Sequence, residues 1–217
     1  MKPVCFIPLL LLSILSSCNK ASITGTGPIA QTERRIPHFH SIRSNADITV
    51  HVQYAPEQSV SVKGYQNLLN ITDTKWVNGE LVIQYKPAYC NVRNSNVEVF
   101  VFVPAIREIA TNGSGDVDLH DFLLNDSLNL SIHGSSDIIL DHSTFSFAKM
   151  TIKGSGNIYA WPAMIHTLQA AIHGSGDIET DCREKLFARI RGSGHIRYQG
   201  KPSLDVQISG SGTVIPN

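Results

Sequence analysis

A short glycine motif returns six times in the second half of this 217-residue chain, and its regular spacing restricts the fold more than any other feature. The copies are Gly113-Ser114-Gly115-Asp116, Gly134-Ser135-Ser136-Asp137, Gly154-Ser155-Gly156-Asn157, Gly174-Ser175-Gly176-Asp177, Gly192-Ser193-Gly194-His195 and Gly210-Ser211-Gly212-Thr213. Successive first glycines lie 21, 20, 20, 18 and 18 residues apart. A period of this size suits one coil of a solenoid. Glycine lets the backbone turn sharply without a side-chain penalty, and the chain must turn at the same place in every coil. The Asp or Asn that follows tolerates unusual backbone angles and can accept a local backbone N–H. Ser136 breaks the pattern: either its coil turns differently or it bears strain.

The flanks of the motif read as strands. Two residues before the first glycine stand Thr111, Ile132, Ile152, Ile172, Ile190 and Ile208. Four before stand Ile109, Leu130, Met150, Ala170, Ala188 and Val206, and six before, in the last five copies, Leu128, Ala148, Leu168, Leu186 and Leu204. This period-two alternation marks a strand with one buried face. Four residues after the first glycine stand Val117, Ile138, Ile158, Ile178, Ile196 and Val214, so a second inward-facing strand follows each turn. A lone coil cannot bury its aliphatic face, whereas stacked coils bury it and pair each strand with its counterpart about 4.8 Å away. The expected fold is all-β: a parallel β-helix of roughly 20-residue coils, right-handed by the crossover rule. An antiparallel barrel of hairpins is the competing fold.

The first half is β but less regular. Ile48, Val50, Val52 and Tyr54 alternate on one face, and Val60 and Val62 continue the pattern. Asn78-Gly79 between Trp76-Val77 and Leu81-Val82-Ile83 predicts a hairpin. Val97, Val99, Val101 and Val103 form a further strand, with Phe100 and Phe102 on its other face, and Pro104 ends it. Residues 35–106 therefore either continue the solenoid irregularly or cap it, and residues 107–217 form the repeat. Pro216 blocks ladder growth beyond the last rung.

The repeated Gly-Ser-Gly-Asp-Ile pattern resembles the head-GIN-domain family, the "putative auto-transporter adhesins" of the DUF2807 class. The stretches Phe39 to Val52, Gly64-Tyr65-Gln66-Asn67-Leu68-Leu69 and Val97 to Val103 resemble it too, so the likeness covers about Arg35 to Thr213. It implies a β-helix exported by Bacteroidetes-like bacteria, often as a lipoprotein, and it supplies no catalytic residues. Ser136, His195 and Thr213 depart from the motif, which argues against one uniform ligand site.

Residues 1–17 read as a removable leader: Met1-Lys2, an apolar run from Val4 to Leu15, and then Leu15-Ser16-Ser17-Cys18. This ending resembles a lipobox with Cys18 as the lipidated residue; ordinary secretory cleavage is the alternative. Acyl chains would fix the protein to a membrane, here the outer membrane, on its periplasmic or its outer side. Residues 18–34, rich in Thr, Ser, Gly and Ala, are expected to be a flexible tether. Cys90 and Cys182 are either a disulfide, permitted in that compartment, or two separate thiols.

Charge and chemistry narrow the function. Eighteen Lys+Arg balance eighteen Asp+Glu. Residues 113–217 carry 8 basic and 11 acidic side chains and residues 18–112 carry 9 and 7, so neither half has the positive field that nucleic acid requires. Asp116, Asp137, Asn157 and Asp177 form an oxygen-rich ladder, but their spacing differs from calcium-binding glycine repeats. His133 and His173 stand two coils apart, about 10 Å, too far for one metal. No Ser has a unique His/Asp partner, and an acid ladder is not the placed carboxylate pair of a glycosidase. The expectation is a non-enzyme with no metal or cofactor. The candidate binding surface is the row His133, Lys153, His173 and Arg191, together with Trp161; Tyr159, Tyr198 and Phe122 are further candidate aromatics. The expected function is a lipid-anchored envelope binding module for a glycan or an envelope or host protein; the alternatives are a self-associating structural or assembly protein and, behind it, a carbohydrate-active enzyme.

Overall fold

The computed structural model describes residues 21–123 and 125–217; Cys18, the expected lipid attachment point, lies outside them. The first half holds β1 (Ala21–Thr24), β2 (Ile29–Glu33), β3 (Ser41–Ser44), β4 (Thr49–Tyr54), β5 (Ser59–Tyr65), the single-turn helix α1 (Gln66–Leu69), β6 (Thr72–Val77), β7 (Glu80–Tyr85), β8 (Tyr89–Arg93) and β9 (Glu98–Val103). The second half holds β10 (Glu108–Gly113), β11 (Val117–His120), β12 (Asn125–Gly134), β13 (Ile138–Asp141), β14 (Thr144–Gly154), β15 (Ile158–Gly174), β16 (Ile178–Gly192), β17 (His195–Gln199), β18 (Ser203–Gly210) and β19 (Thr213–Pro216).

The glycine motif is the corner between two parallel sheets. Before the corner, β10, β12, β14, the second parts of β15 and β16, and β18 lie side by side in parallel register. After it, β11, β13, the first parts of β15 and β16, β17 and β19 do the same. The first glycines stack directly: Gly113 on Gly134, then Gly154, Gly174, Gly192 and Gly210. The inward aliphatic rows stack with them, so Ile132, Ile152, Ile172 and Ile190 form one column and Ile138, Ile158, Ile178 and Ile196 another, each at most 1% exposed. This is the parallel solenoid rather than the hairpin barrel.

The first half extends the solenoid and also closes it. Strand β3 lies between β7 and β10, and β4 between β9 and β11, all in parallel. The coil of β3 and β4 comes first in sequence, yet the later β7 and β9 lie outside it. Antiparallel strands then cover that end: β5 on β9, β2 on β5, and β6 on β7. The β6–β7 turn is the expected hairpin, with φ of 51° at Asn78 and 86° at Gly79. Val60, Val62, Leu68, Leu69 and Ile71 are buried there, so this end of the core is sealed.

One expectation for this half needs correction. The segment expected as a tether is strand-paired from Ala21: β1 lies parallel to β8, and β2 joins the capping sheet. Both strands are mostly exposed and are held by backbone pairing, which needs no apolar alternation. Tyr54 keeps the face of Ile48, Val50 and Val52, in register with the buried Val103, but is less covered than they are. It is 48% exposed at the strand end, edge-on to Phe122 with 6.2 Å between ring centres.

Glycine at the first motif position is required twice over. Gly174 has φ of 140°, and a Cβ built on it would lie 2.1 Å from the Gly154 carbonyl oxygen of the coil below. Gly174→Ala is therefore expected to cost about 3 kcal/mol. Gly79→Ala, at φ of 86° with open space around the site, should cost only about 1 kcal/mol. Urea unfolding of the two variants checks the contrast.

Ser136 is not in the left-handed region, so the corner of its coil does not strain it. It is fully buried, and its hydroxyl has no hydrogen-bond partner among the described residues. A buried hydroxyl without a partner costs stability that an alanine methyl does not. Ser136→Ala should accordingly raise the unfolding free energy by about 1 kcal/mol, read from the urea midpoint.

Candidate functional site

The residue after each Gly-Ser-Gly turn binds the coil above, not its own turn. Asp116 Oδ1 accepts the N–H of Asp137 at 2.8 Å, and Asp137 Oδ1 accepts the N–H of Asn157 at 2.9 Å. Asn157 Oδ1 accepts the N–H of Asp177 at 3.0 Å, and Asp177 Oδ1 accepts that of His195 at 2.7 Å. The expected local caps are thus rungs between coils. One rung is doubled, because Asn157 Nδ2 also donates to Asp137 Oδ1 at 2.9 Å. The departures fit the same pattern: His195 supplies the last N–H, and its Nδ1 meets Thr213 Oγ1 at 2.7 Å.

These rungs occupy the carboxylates that a metal or a hydrolytic centre would need. Among the described residues no group of three or more His, Cys, Asp or Glu side chains is placed to hold a metal. Asp137→Ala removes both bonds from Asn157 and should cost about 2 kcal/mol, whereas Asp137→Asn keeps an acceptor and should cost less than half of that. Thermal and urea unfolding of the pair checks the difference.

The outer face of the post-turn sheet is acidic and internally compensated. Its outward side chains include Asp116, Asp118, Asp137, Asp141, Asp177 and Glu179. Arg197 pairs with Asp177 at 3.1 Å and with Glu179 at 3.2 Å, and His51 lies 3.0 Å from Asp118 while stacking on Phe100. Tyr159 stands in this face, and burial, with Asp137, Glu179 and Asp177 nearby, pushes its hydroxyl pKa up. Trp161 belongs here too, its indole N–H donating to Glu179.

The outer face of the pre-turn sheet is basic across β12 to β16. His133, Lys153, His173 and Arg191 stand in direct register on β12, β14, β15 and β16, as one row. One column further from the corner the alternation adds Arg189, and in the column beyond it Lys149. On β12 to β16 the outward columns from Lys185 to the corner carry Lys149, Lys153, Lys185, Arg189 and Arg191 and no Asp or Glu, while Glu108 on the neighbouring β10, in register with Asn129, lies on the same face. Asp205 on β18 pairs with Arg189 at 3.2 Å, and Lys153 and Arg191 make no ion pair among the described residues. Ala171 carries only a methyl between Thr151 and Arg189, and the surface dips around it. One depression of about 590 Å³ is lined by His173, Arg189, Arg191 and Gln207, and an adjoining one of about 280 Å³ by Lys149, Gln169, Phe187 and Arg189.

The structure therefore brings His133, Lys153, His173 and Arg191 together and places Trp161 on the other sheet. Lys149, Arg189 and Phe187 complete the basic face and were readable from the same two-residue alternation. Phe122, a candidate exposed aromatic, is fully buried in the core, and Tyr198 is partly buried against it. Cys182 is a buried free thiol whose Sγ lies 3.1 Å from the Lys185 carbonyl, while Cys90 is exposed on β8, so the two do not form a disulfide with each other. Burial raises the Cys182 pKa.

Known proteins share this architecture. The sequence profile of the family described as "Putative auto-transporter adhesin, head GIN domain" matches residues 38–215. No curated protein matches the sequence. A crystal structure of a "putative adhesin" from Bacteroides fragilis is similar with TM-score 0.75 and 21% identity, over 90% of this chain and 100% of that one. A "putative lipid binding protein" from Parabacteroides distasonis gives TM-score 0.58 and 21% identity, over 91% and 100%. Another "putative adhesin" from the same species gives 0.59 and 18%, over 91% and 100%. At these identities the likeness speaks to the fold.

Proposed function

The chain belongs to the head-GIN-domain family, and from that premise we propose that it is a non-catalytic binding module of the bacterial cell envelope whose pre-turn sheet face holds an acidic partner. The observation that carries this reading is the face itself: Lys149, Lys153, Arg189 and Arg191, with His133 and His173, on strands in fixed register. Stacked sheets hold these groups in place before any partner arrives, which lowers the ordering cost of binding. Separation of basic from acidic surface favours partners of one sign and repels the other. The partner is a glycan bearing carboxylate, sulfate or phosphate groups, or an acidic protein surface. The name adhesin in the family, and the adhesins among the similar structures, support a binding role. The motif acids support a non-enzyme, since they are engaged in holding the coils together.

In this proposal the leader ends before Cys18, acyl chains on Cys18 anchor the chain to the outer membrane, and the solenoid coils right-handed. Protease treatment of intact cells distinguishes a cell-surface domain, which would be digested, from a periplasmic one, which would survive.

The binding test is a screen of acidic and neutral glycans and of envelope proteins against residues 21–217. Lys153→Glu with Arg191→Glu should weaken an acidic partner at least tenfold while leaving the melting temperature within a few degrees, and the wild-type affinity should fall with added salt. Binding that ignores both the charge reversal and the salt would overturn the proposed face.

A further inference from the structure

The two ends of the solenoid are built differently. One is sealed by the antiparallel strands β2, β5 and β6. At the other, β18 pairs only with β16 among the described residues, and every residue from Ser203 to Gly210 is exposed. Its inward row continues the core columns, yet Leu204 is 48%, Val206 40% and Ile208 43% exposed, whereas Leu186, Ala188 and Ile190 one coil below are at most 1%. The strand thus presents unpaired backbone groups and uncovered core side chains together.

Natural edge strands are usually protected by proline, lysine, a bulge or shortness. β19 is short and ends in Pro216. β18 runs for eight residues without Pro or Lys, in unbroken register with β16. Its one charge, Asp205, is already held by Arg189 of the same chain.

We propose that this end is the contact surface for a second copy of the chain, the two β18 strands pairing antiparallel across a two-fold axis. Centred on Val206, the pairing sets Leu204 against Ile208 of the second copy, Val206 against its own counterpart, and Asp205 against Gln207. Aliphatic then meets aliphatic, the carboxylate meets an amide, and no like charges are opposed, which is the complementarity an isologous contact demands. The sealed opposite end offers no matching surface, so association closes at two chains instead of growing into a filament. The dimer would join two basic faces in one rigid body, and it stands whatever partner those faces bind.

The test is the mass of residues 21–217, which contain the solenoid and its cap, by light scattering across a dilution series, with Val206→Lys beside the wild type. Val206 is already half exposed in one chain, so lysine there leaves the monomer fold intact, and a melting curve verifies it. The expected result is a twofold mass for the wild type that falls on dilution, a one-chain mass for Val206→Lys, and slowed hydrogen exchange of β18 amides as the wild type is concentrated. A wild type that stays at one chain near millimolar concentration overturns the proposal. So does a mass that climbs beyond two chains, a folded Val206→Lys that still doubles, or a doubled wild type whose β18 amides exchange at the monomer rate.

Discussion

Close contact of backbone with backbone at one corner governs the rest of this structure. From Gly134 onward, each first glycine sits so near the carbonyl of the coil below that a Cβ would lie 2.1–2.3 Å from its oxygen. That contact fixes the corner at the same height in every coil. With the corner fixed, the strands on either side fall into one register, and the isoleucine columns stack over themselves. The coil-to-coil bonds from Asp116 through His195 tie the same corner from its outer side. Sterics set the spacing, hydrogen bonds hold it, and burial of the aliphatic columns supplies the driving force.

The consequences reach the surface. Because registers are fixed, side chains separated by 18–21 residues in sequence become neighbours, and repeated positions become rows. Thus a chain with eighteen cations and eighteen acids presents, across β12 to β16, a basic face on one sheet and an acidic face on the other. Sequence halves are the wrong partition for seeing this. Across β12 to β16 the boundary between the charges runs along the corner, and not between the first and second half of the chain.

Much of the solenoid was legible because like residues lie over like. The motif, the inward rows and the row from His133 to Arg191 all follow from period and alternation. Other features lack such a signal. β1 and β2 are exposed strands whose pairing is carried by backbone groups, so their composition reads as a tether. The insertion of β3 and β4 between later coils depends on contacts between segments far apart in sequence. The acceptor role of the motif Asx residues was legible and its direction was not: a donor in the same turn and a donor one coil above suit the same side chain equally in sequence. Trp161 follows a motif turn like the basic residues precede one, and only the corner between them shows that they face apart.

The central claim is that the corner is a load shared between coils and not a row of independent loops. Native-state amide hydrogen exchange, resolved by residue, measures this directly. The N–H groups of Asp137, Asn157, Asp177 and His195 should exchange as slowly as those of the flanking strands, because each is held by the side chain of the preceding coil. Exchange of these four amides at the rate of surface turns, with the strands beside them protected, would contradict it.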